Sequence, residues 1–284
     1  MLRAALSLAV LVATMNVAPA QTESSRLKGI AASKTIKLAH RTDATPFSFV
    51  NERNEITGYT VDICKLVVAS LQRQLKLEGL KIEWTPVTTL TRFDTVASGK
   101  ADMECGASTV TLGRMNQVDF SNYIFVESTG LAVKTTAGIN VLQDIANKKI
   151  AVIAGTSNEK AFAAMNQQMQ LKAAIVPVKN REEAIAALEN GTADGFASDK
   201  LLLAGTQYKD AQSMKLLPDD LSIEPYAIAL PRGDWGMRLA VNTALAEIYR
   251  SGQAVYVFDR WFAVLGMRPG FLLSAVYVLG AVSE

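Results

Sequence analysis

The residues able to do chemistry in this chain are arginines set among threonines, serines and a few carboxylates. Arg41 stands in the loop His40-Arg41-Thr42-Asp43-Ala44-Thr45-Pro46-Phe47, after a strand-like run and before a proline. Loops at strand ends are where α/β proteins hold ligands, and a guanidinium there offers a planar fork to a carboxylate. A solvated surface arginine is the competing reading. Phe47 and Phe49 either wall such a ligand or fill the core. Arg92 falls in the first turn of a helix expected over Thr91–Ser98, behind Thr88, Thr89 and Thr91. The helix dipole disfavours a cation there by roughly 0.3–1 kcal/mol, and a bound anion would reverse that sign. A threonine cap followed by an exposed arginine fits the same letters.

The run Glu104-Cys105-Gly106-Ala107-Ser108-Thr109-Val110-Thr111-Leu112-Gly113-Arg114 follows a strand, is dense in hydroxyls and ends in another arginine, the makings of a carboxylate clamp. Further on, Gly155-Thr156-Ser157-Asn158-Glu159 joins a strand to a helix, where backbone N–H groups and hydroxyls can hold an anion. Thr156 and Glu159 read equally as a capping box. Asp199 ends a strand and begins a helix, so it is either a helix cap or the partner of an ammonium.

Other chemistries lack their residues. One histidine and two cysteines fall short of the ligand sets of zinc, haem or iron–sulfur centres, so no metal or cofactor is expected. His40 has no serine elbow or cysteine signature around it and reads as structural. No glycine-rich phosphate loop of standard form occurs. Lys+Arg 29 against Asp+Glu 27 leaves a net charge of +2, too even for a nucleic-acid footprint, so any anion must be bound by local placement.

These residues need elements to position them. Of 284 residues, 49% are hydrophobic and 20% charged, which fits a folded protein of two domains. Strands are expected at Lys34–Ala39, Phe47–Val50, Lys81–Val87, Ala101–Cys105, Lys149–Ile153, Ala174–Val178, Ala193–Ala197 and Pro225–Leu230. Helices are expected at Thr60–Lys76, Thr91–Ser98, Asn158–Met169, Glu182–Asn190, Lys200–Tyr208 and Trp235–Arg250; in the first, Val61, Cys64, Val68, Leu71 and Leu75 form an apolar stripe. Ser98-Gly99-Lys100-Ala101-Asp102 matches Asn190-Gly191-Thr192-Ala193-Asp194, a helix–glycine–strand junction repeated. A segment that returned to the first lobe after Ser222 would give two crossings and a hinge.

At the start, Arg3, the apolar run Ala4–Ala13 and Ala18-Pro19-Ala20 read as a secretory signal peptide over residues 1–20. Thr22–Lys28 reads as a loose lead-in. Export makes a Cys64–Cys105 disulfide possible, with two buried thiols the alternative. The apolar stretch Gly270–Val282 is too short to span a membrane and has no assigned role.

His40-Arg41 with Pro46-Phe47-Ser48-Phe49, Gly58-Tyr59-Thr60-Val61-Asp62, Glu104-Cys105-Gly106, and Arg114 with Phe120-Ser121 resemble the periplasmic amino-acid-binding proteins of ABC importers, solute-binding family 3, in the glutamate/aspartate-binding branch. The resemblance runs from about Ile36 to Phe262. It implies a type II periplasmic-binding-protein fold, two α/β lobes on a two-crossing hinge with the ligand cleft between them: lobe 1 at 27–128 and 225–284, lobe 2 at 129–224. It implies that Arg114, Thr109 and Ser157 hold an α-carboxylate, that Asp199 takes the α-ammonium, and that Arg41, Arg92 and Thr89 meet a side-chain carboxylate. Three arginines against one aspartate would then leave one positive charge over with an acidic amino acid and two with a neutral one. Two departures stand out: Ala107 where the branch has a serine, and Gly113 where it has an acid. Arg181 replaces a histidine and either adds positive charge or points outward. The implied protein is a periplasmic, non-enzymatic monomer that hands its ligand to a membrane permease and binds no nucleic acid. A dehydratase of the cyclohexadienyl type on the same scaffold, or a receptor for a neutral amino acid such as glutamine, are the alternatives.

Overall fold

The computed structural model describes residues 25–206 and 213–283. The expected signal peptide lies outside the described residues. The chain begins with α1 (Ser25–Ser33), β1 (Thr35–Arg41), a small antiparallel sheet of β2 (Asp43–Ala44), β3 (Ser48–Val50) and β4 (Ile56–Thr57), then α2 (Tyr59–Gln74), β5 (Lys81–Val87), α3 (Arg92–Ala97) and β6 (Met103–Glu104). A long strand, β7 (Val118–Lys134), leads to β8 (Lys149–Ile153), α4 (Ser157–Gln168), β9 (Ala174–Val178), α5 (Arg181–Glu189), β10 (Gly195–Asp199), α6 (Lys200–Ala204) and β11 (Met214–Leu216). The chain returns through β12 (Ser222–Pro231) to α7 (Trp235–Arg250), α8 (Gln253–Phe262) and α9 (Phe271–Gly280).

The strands lie in the order β5-β1-β6-β12-β7-β10-β8-β9, with β11 beside β7. β5-β1-β6 and β10-β8-β9 are two parallel sets, and between them β7 and β12 run antiparallel, Ser222 opposite Thr129 at one end and Pro231 opposite Val118 at the other. These two strands are the crossings between two α/β lobes. Each parallel set is covered on both faces. In the first lobe, Ile36 and Leu38 of β1 pack under α2, α7 and α8 while Ala39 meets Phe93 and Val96 of α3 on the other side. In the second, Val152 packs with Phe162 of α4 and Ala151 with Ala184 and Leu188 of α5. Burial on both faces is why β8 reads as an apolar run, whereas the outer strand β5 alternates.

The repeated junction does the same work in both lobes. Gly99 and Gly191 end their helices at φ 77° and 79°, a left-handed turn that suits glycine. Asp102 then accepts a 2.8 Å hydrogen bond from the Lys37 N–H and Asp194 one of 2.8 Å from Lys149, so each aspartate ties a strand start to the lobe's leading strand. Cys64 on α2 and Cys105 after β6 are disulfide-bonded, with Cα atoms 6.2 Å apart.

Two expectations need correction, and the tail gains a place. The lead-in is ordered from Ser25 as α1, because Ile30 enters the core and Arg26 pairs with Asp102 at 3.3 Å. The helix expected over Lys200–Tyr208 spans Lys200–Ala204, and 207–208 lie outside the described residues. The apolar tail is α9: Leu273 and Tyr277 are buried, Tyr277 stacks on Tyr249, and the Tyr277 and Tyr59 hydroxyls bond at 2.7 Å. Among the described residues no helix is long and apolar enough to cross a membrane. Phe47 belongs to the core, its ring 4.9 Å from Phe125 and 5.1 Å from Tyr226, and Phe49 packs on Trp261.

Candidate functional site

The carboxyl ends of β1, β5, β6, β8 and β10 all open toward the space between the lobes, the crevice where open parallel sheets place ligands. All seven residues singled out in the sequence, Arg41, Thr89, Arg92, Thr109, Arg114, Ser157 and Asp199, line one cavity there, with about 330 Å³ of empty space including its mouth. Arg181 lines it too, so of the two readings of that residue the inward one holds. Ala107, Thr156, Asn158 and Ser198 complete the polar and small part of the wall.

Arg41 is the last residue of β1 and almost wholly buried. Its Nε and Nη2 donate to the two carboxylate oxygens of Asp43, each at 2.8 Å, a bidentate pair. Arg92 opens α3 and is 4% exposed, so the surface reading fails. Thr91 precedes it without making a side-chain cap. Arg92 Nη1 donates to the Ala107 carbonyl at 3.2 Å, its Nε has no partner, and its guanidinium lies 4.8 Å from the Phe93 ring centroid. Burial, then repulsion from Arg114, pushes its pKa down to about 9, which leaves it charged at neutral pH. Arg114 shares the same ring at 5.2 Å and donates to the Thr109 carbonyl at 2.6 Å. Burial lowers its pKa also, and Glu224, Asp199 and Glu104 pull it back.

The hydroxyls divide between two duties. Thr156 caps α4, accepting from the Glu159 N–H at 3.1 Å, and Glu159 in turn accepts from the Gly155 N–H at 2.8 Å, so the capping reading of this loop is realised. Ser157, the first residue of α4, instead donates to Thr109 Oγ1 at 3.3 Å, a bond from one lobe to the other. Asp199 stands at the start of α6 yet makes no cap bond, and its Oδ1 is buried without a partner. Burial, then Glu224, raises its pKa. A buried acceptor with nothing to accept from costs about 1–3 kcal/mol. Arg181 donates to the Leu202 carbonyl (3.3 Å), Thr206 Oγ1 (3.2 Å) and Ser198 Oγ (3.4 Å), which fixes it against the second lobe.

The wall therefore carries four guanidiniums and one carboxylate, not three and one. The Arg41–Asp43 pair is neutral as a unit. Behind the wall lie acids that sequence reading did not single out. Glu104, fully buried with neither oxygen hydrogen-bonded, raises the pKa of both Arg92 and Arg114. Glu127 and Glu224 face one another in register on the two crossing strands. Alternation along β7 and β12 would have put them on one face, but only the pairing register makes them neighbours. No group of three or more histidine, cysteine or acidic residues is placed to hold a metal among the described residues.

Glu127 supplies a pH prediction. Its Oε1 accepts from the Leu201 N–H at 3.0 Å, and burial, then Asp199, pushes its pKa up to about 8 from an ordinary 4.5. The native state keeps a proton that the unfolded chain releases, so the stability this group confers is full below about pH 4.5 and declines as pH rises through 8. His40 works the other way, its pKa lowered by burial. The difference between the protein and Glu127→Gln isolates the glutamate: urea midpoints should converge toward pH 5 and favour the variant toward pH 8.5. Parallel curves would rule the assignment out.

Two lobes on two crossing strands, closed over a charged cavity at their strand ends, define a type II periplasmic binding protein. Residues 36–264 match the bacterial extracellular solute-binding proteins, family 3, and the chain belongs to that family. The L-glutamate/L-aspartate-binding protein of Pseudomonas aeruginosa is 34% identical over 244 residues, covering 83% of this chain and 79% of that protein. The glutamate/aspartate import solute-binding protein of Escherichia coli is 29% identical over 240 residues, covering 84% and 80%. Among solved structures, the ancestral amino acid-binding protein AncCDT-1, described as a precursor of cyclohexadienyl dehydratase, superposes with a TM-score of 0.71 at 26% identity, covering 84% of this chain and 100% of that one.

Proposed function

We propose that this chain is the periplasmic receptor of an ABC importer, binding L-glutamate or L-aspartate between lobes divided near residues 128 and 225 and delivering it as a monomer to a membrane permease. The observation that carries this reading is the convergence of Arg41, Arg92, Arg114 and Arg181 on one cavity that also holds the Asp199 carboxylate, whose buried Oδ1 has no hydrogen-bond partner. Arg114, with Thr109 and Ser157, takes the α-carboxylate; Asp199 takes the α-ammonium; Arg92, Thr89 and the Arg41 side of the cavity face the distal carboxylate. With the Arg41–Asp43 pair neutral, Arg92 and Arg114 against Asp199 leave a surplus of positive charge at the wall, and a guest of net charge −1 reduces it where a neutral guest does not. The Ser157–Thr109 bond between the lobes supports a closure that assembles the α-carboxylate site from both sides.

No catalysis is assigned. Gly113 opens a short 3₁₀ turn and brings no acid or base to the cavity. Calorimetric titration with the standard amino acids tests the reading: glutamate or aspartate should bind one to one and more tightly than glutamine or arginine. Tightest binding of a neutral or basic amino acid, or turnover of prephenate or arogenate by the purified protein, would overturn it.

A further inference from the structure

Asp43 is held directly against the cavity arginine Arg41, and it does not itself line the cavity. It sits on β2, two residues after Arg41, and occupies the whole Nε/Nη2 edge of that guanidinium, the edge that would otherwise grip a carboxylate in two parallel bonds. Burial alone would raise its pKa, but Arg41 and then Arg181 outweigh burial and hold it below the ordinary value, so Asp43 feels guanidiniums from both lobes. A chain carboxylate bound to Arg41 and attracted by Arg181 meets charges that the distal carboxylate of an acidic ligand would seek.

Resting on the acidic-amino-acid reading above, we propose that Asp43 is a specificity-determining positioning residue: a resident carboxylate that neutralises Arg41 and reduces the cavity's discrimination between acidic ligands and their amides. Acting through Arg41 and Arg181 without touching the ligand, it leaves the distal carboxylate chiefly to Arg92. Glutamate then gains less over glutamine than four arginines would give it, and the cavity admits both more evenly.

The pair predicts a specific pattern. In Asp43→Asn, Arg41 keeps its place through a neutral oxygen but regains its uncompensated charge. Glutamate should bind about tenfold more tightly and glutamine within about twofold of its original affinity. In Arg41→Met, Asp43 is left as an unpaired anion beside the cavity, and glutamate should weaken by about a hundredfold. In the double variant the two charges go together, and the glutamate affinity should return to within a few-fold of the unaltered protein, a coupling that independent structural damage would not produce. Titration calorimetry with glutamate and glutamine on all four proteins, with thermal unfolding to verify folding, reads these ratios. If the unaltered protein binds glutamate but Asp43→Asn weakens both ligands equally, or the effects of the two single variants simply add in the double variant, this inference fails while the receptor reading stands. If the unaltered protein binds neither, the receptor reading itself fails.

Discussion

Arg114→Ala is expected to abolish binding of every amino acid, acidic, amide or aliphatic alike. The reason is that an α-carboxylate is common to all of them, and Arg114 is the guanidinium placed beside Thr109 and Ser157, where the lobes meet. Truncating one member of a buried, hydrogen-bonded ion pair leaves the other charge desolvated and costs about 3–5 kcal/mol, two to four decades in Kd. The Arg114 head is held by the Thr109 carbonyl and the Phe93 face, contacts that contribute little to the fold's two main cores. The variant should therefore fold, with an unchanged circular dichroism spectrum, and titrate flat against glutamate and glutamine. Retention of either ligand within tenfold of the original affinity would refute the assignment.

Arg92→Ala should instead separate the ligands. Its guanidinium is buried at the start of α3, with only the Ala107 carbonyl on Nη1 and nothing on Nε. A cation held there, against the helix dipole and beside Arg114, is stabilised when an anion arrives. Glutamate and aspartate bring that anion and glutamine does not. The expected loss is about 2–4 kcal/mol for the acidic ligands and under about 1 kcal/mol for glutamine, measured as the ratio of their Kd values. Ala107 sharpens this expectation, because the wall beside Arg92 has a methyl group where a serine would offer a second donor. Equal losses for glutamate and glutamine would show that Arg92 does not meet the side chain.

Much of this arrangement is legible before any fold is known. The strands Lys81–Val87, Lys149–Ile153 and Ala174–Val178 and the helix Trp235–Arg250 coincide with the residues expected. Their signals are local: apolar runs bounded by turn residues, or a stripe at helical spacing. The paired aspartates Asp102 and Asp194 come from a match of five letters and do the same thing in both lobes. The candidate residues lie in the segments that follow strands, and the resemblance to family 3 grouped them into one site.

What local signals could not carry is direction and distance. The letters of Arg181 fit a helix surface equally well; its place in the cavity follows from α5 packing beside β8 and β10 and from Leu202, Thr206 and Ser198 receiving its guanidinium. α1 and α9 have no strong pattern of their own and are held by partners far along the chain, Asp102 and Asp234 for Arg26, Tyr59 and Tyr249 for Tyr277. The sequence by itself determined the element types, the strand-end loops and the excess of guanidinium over carboxylate among them. Tertiary structure alone decided which charges cancel: Asp43 folding back on Arg41, Glu127 coming opposite Glu224, and Asp199 buried with its Oδ1 unbonded. A Coulomb interaction depends on separation and burial, and for residues brought together by strand register and lobe closure neither quantity is written in their spacing along the chain.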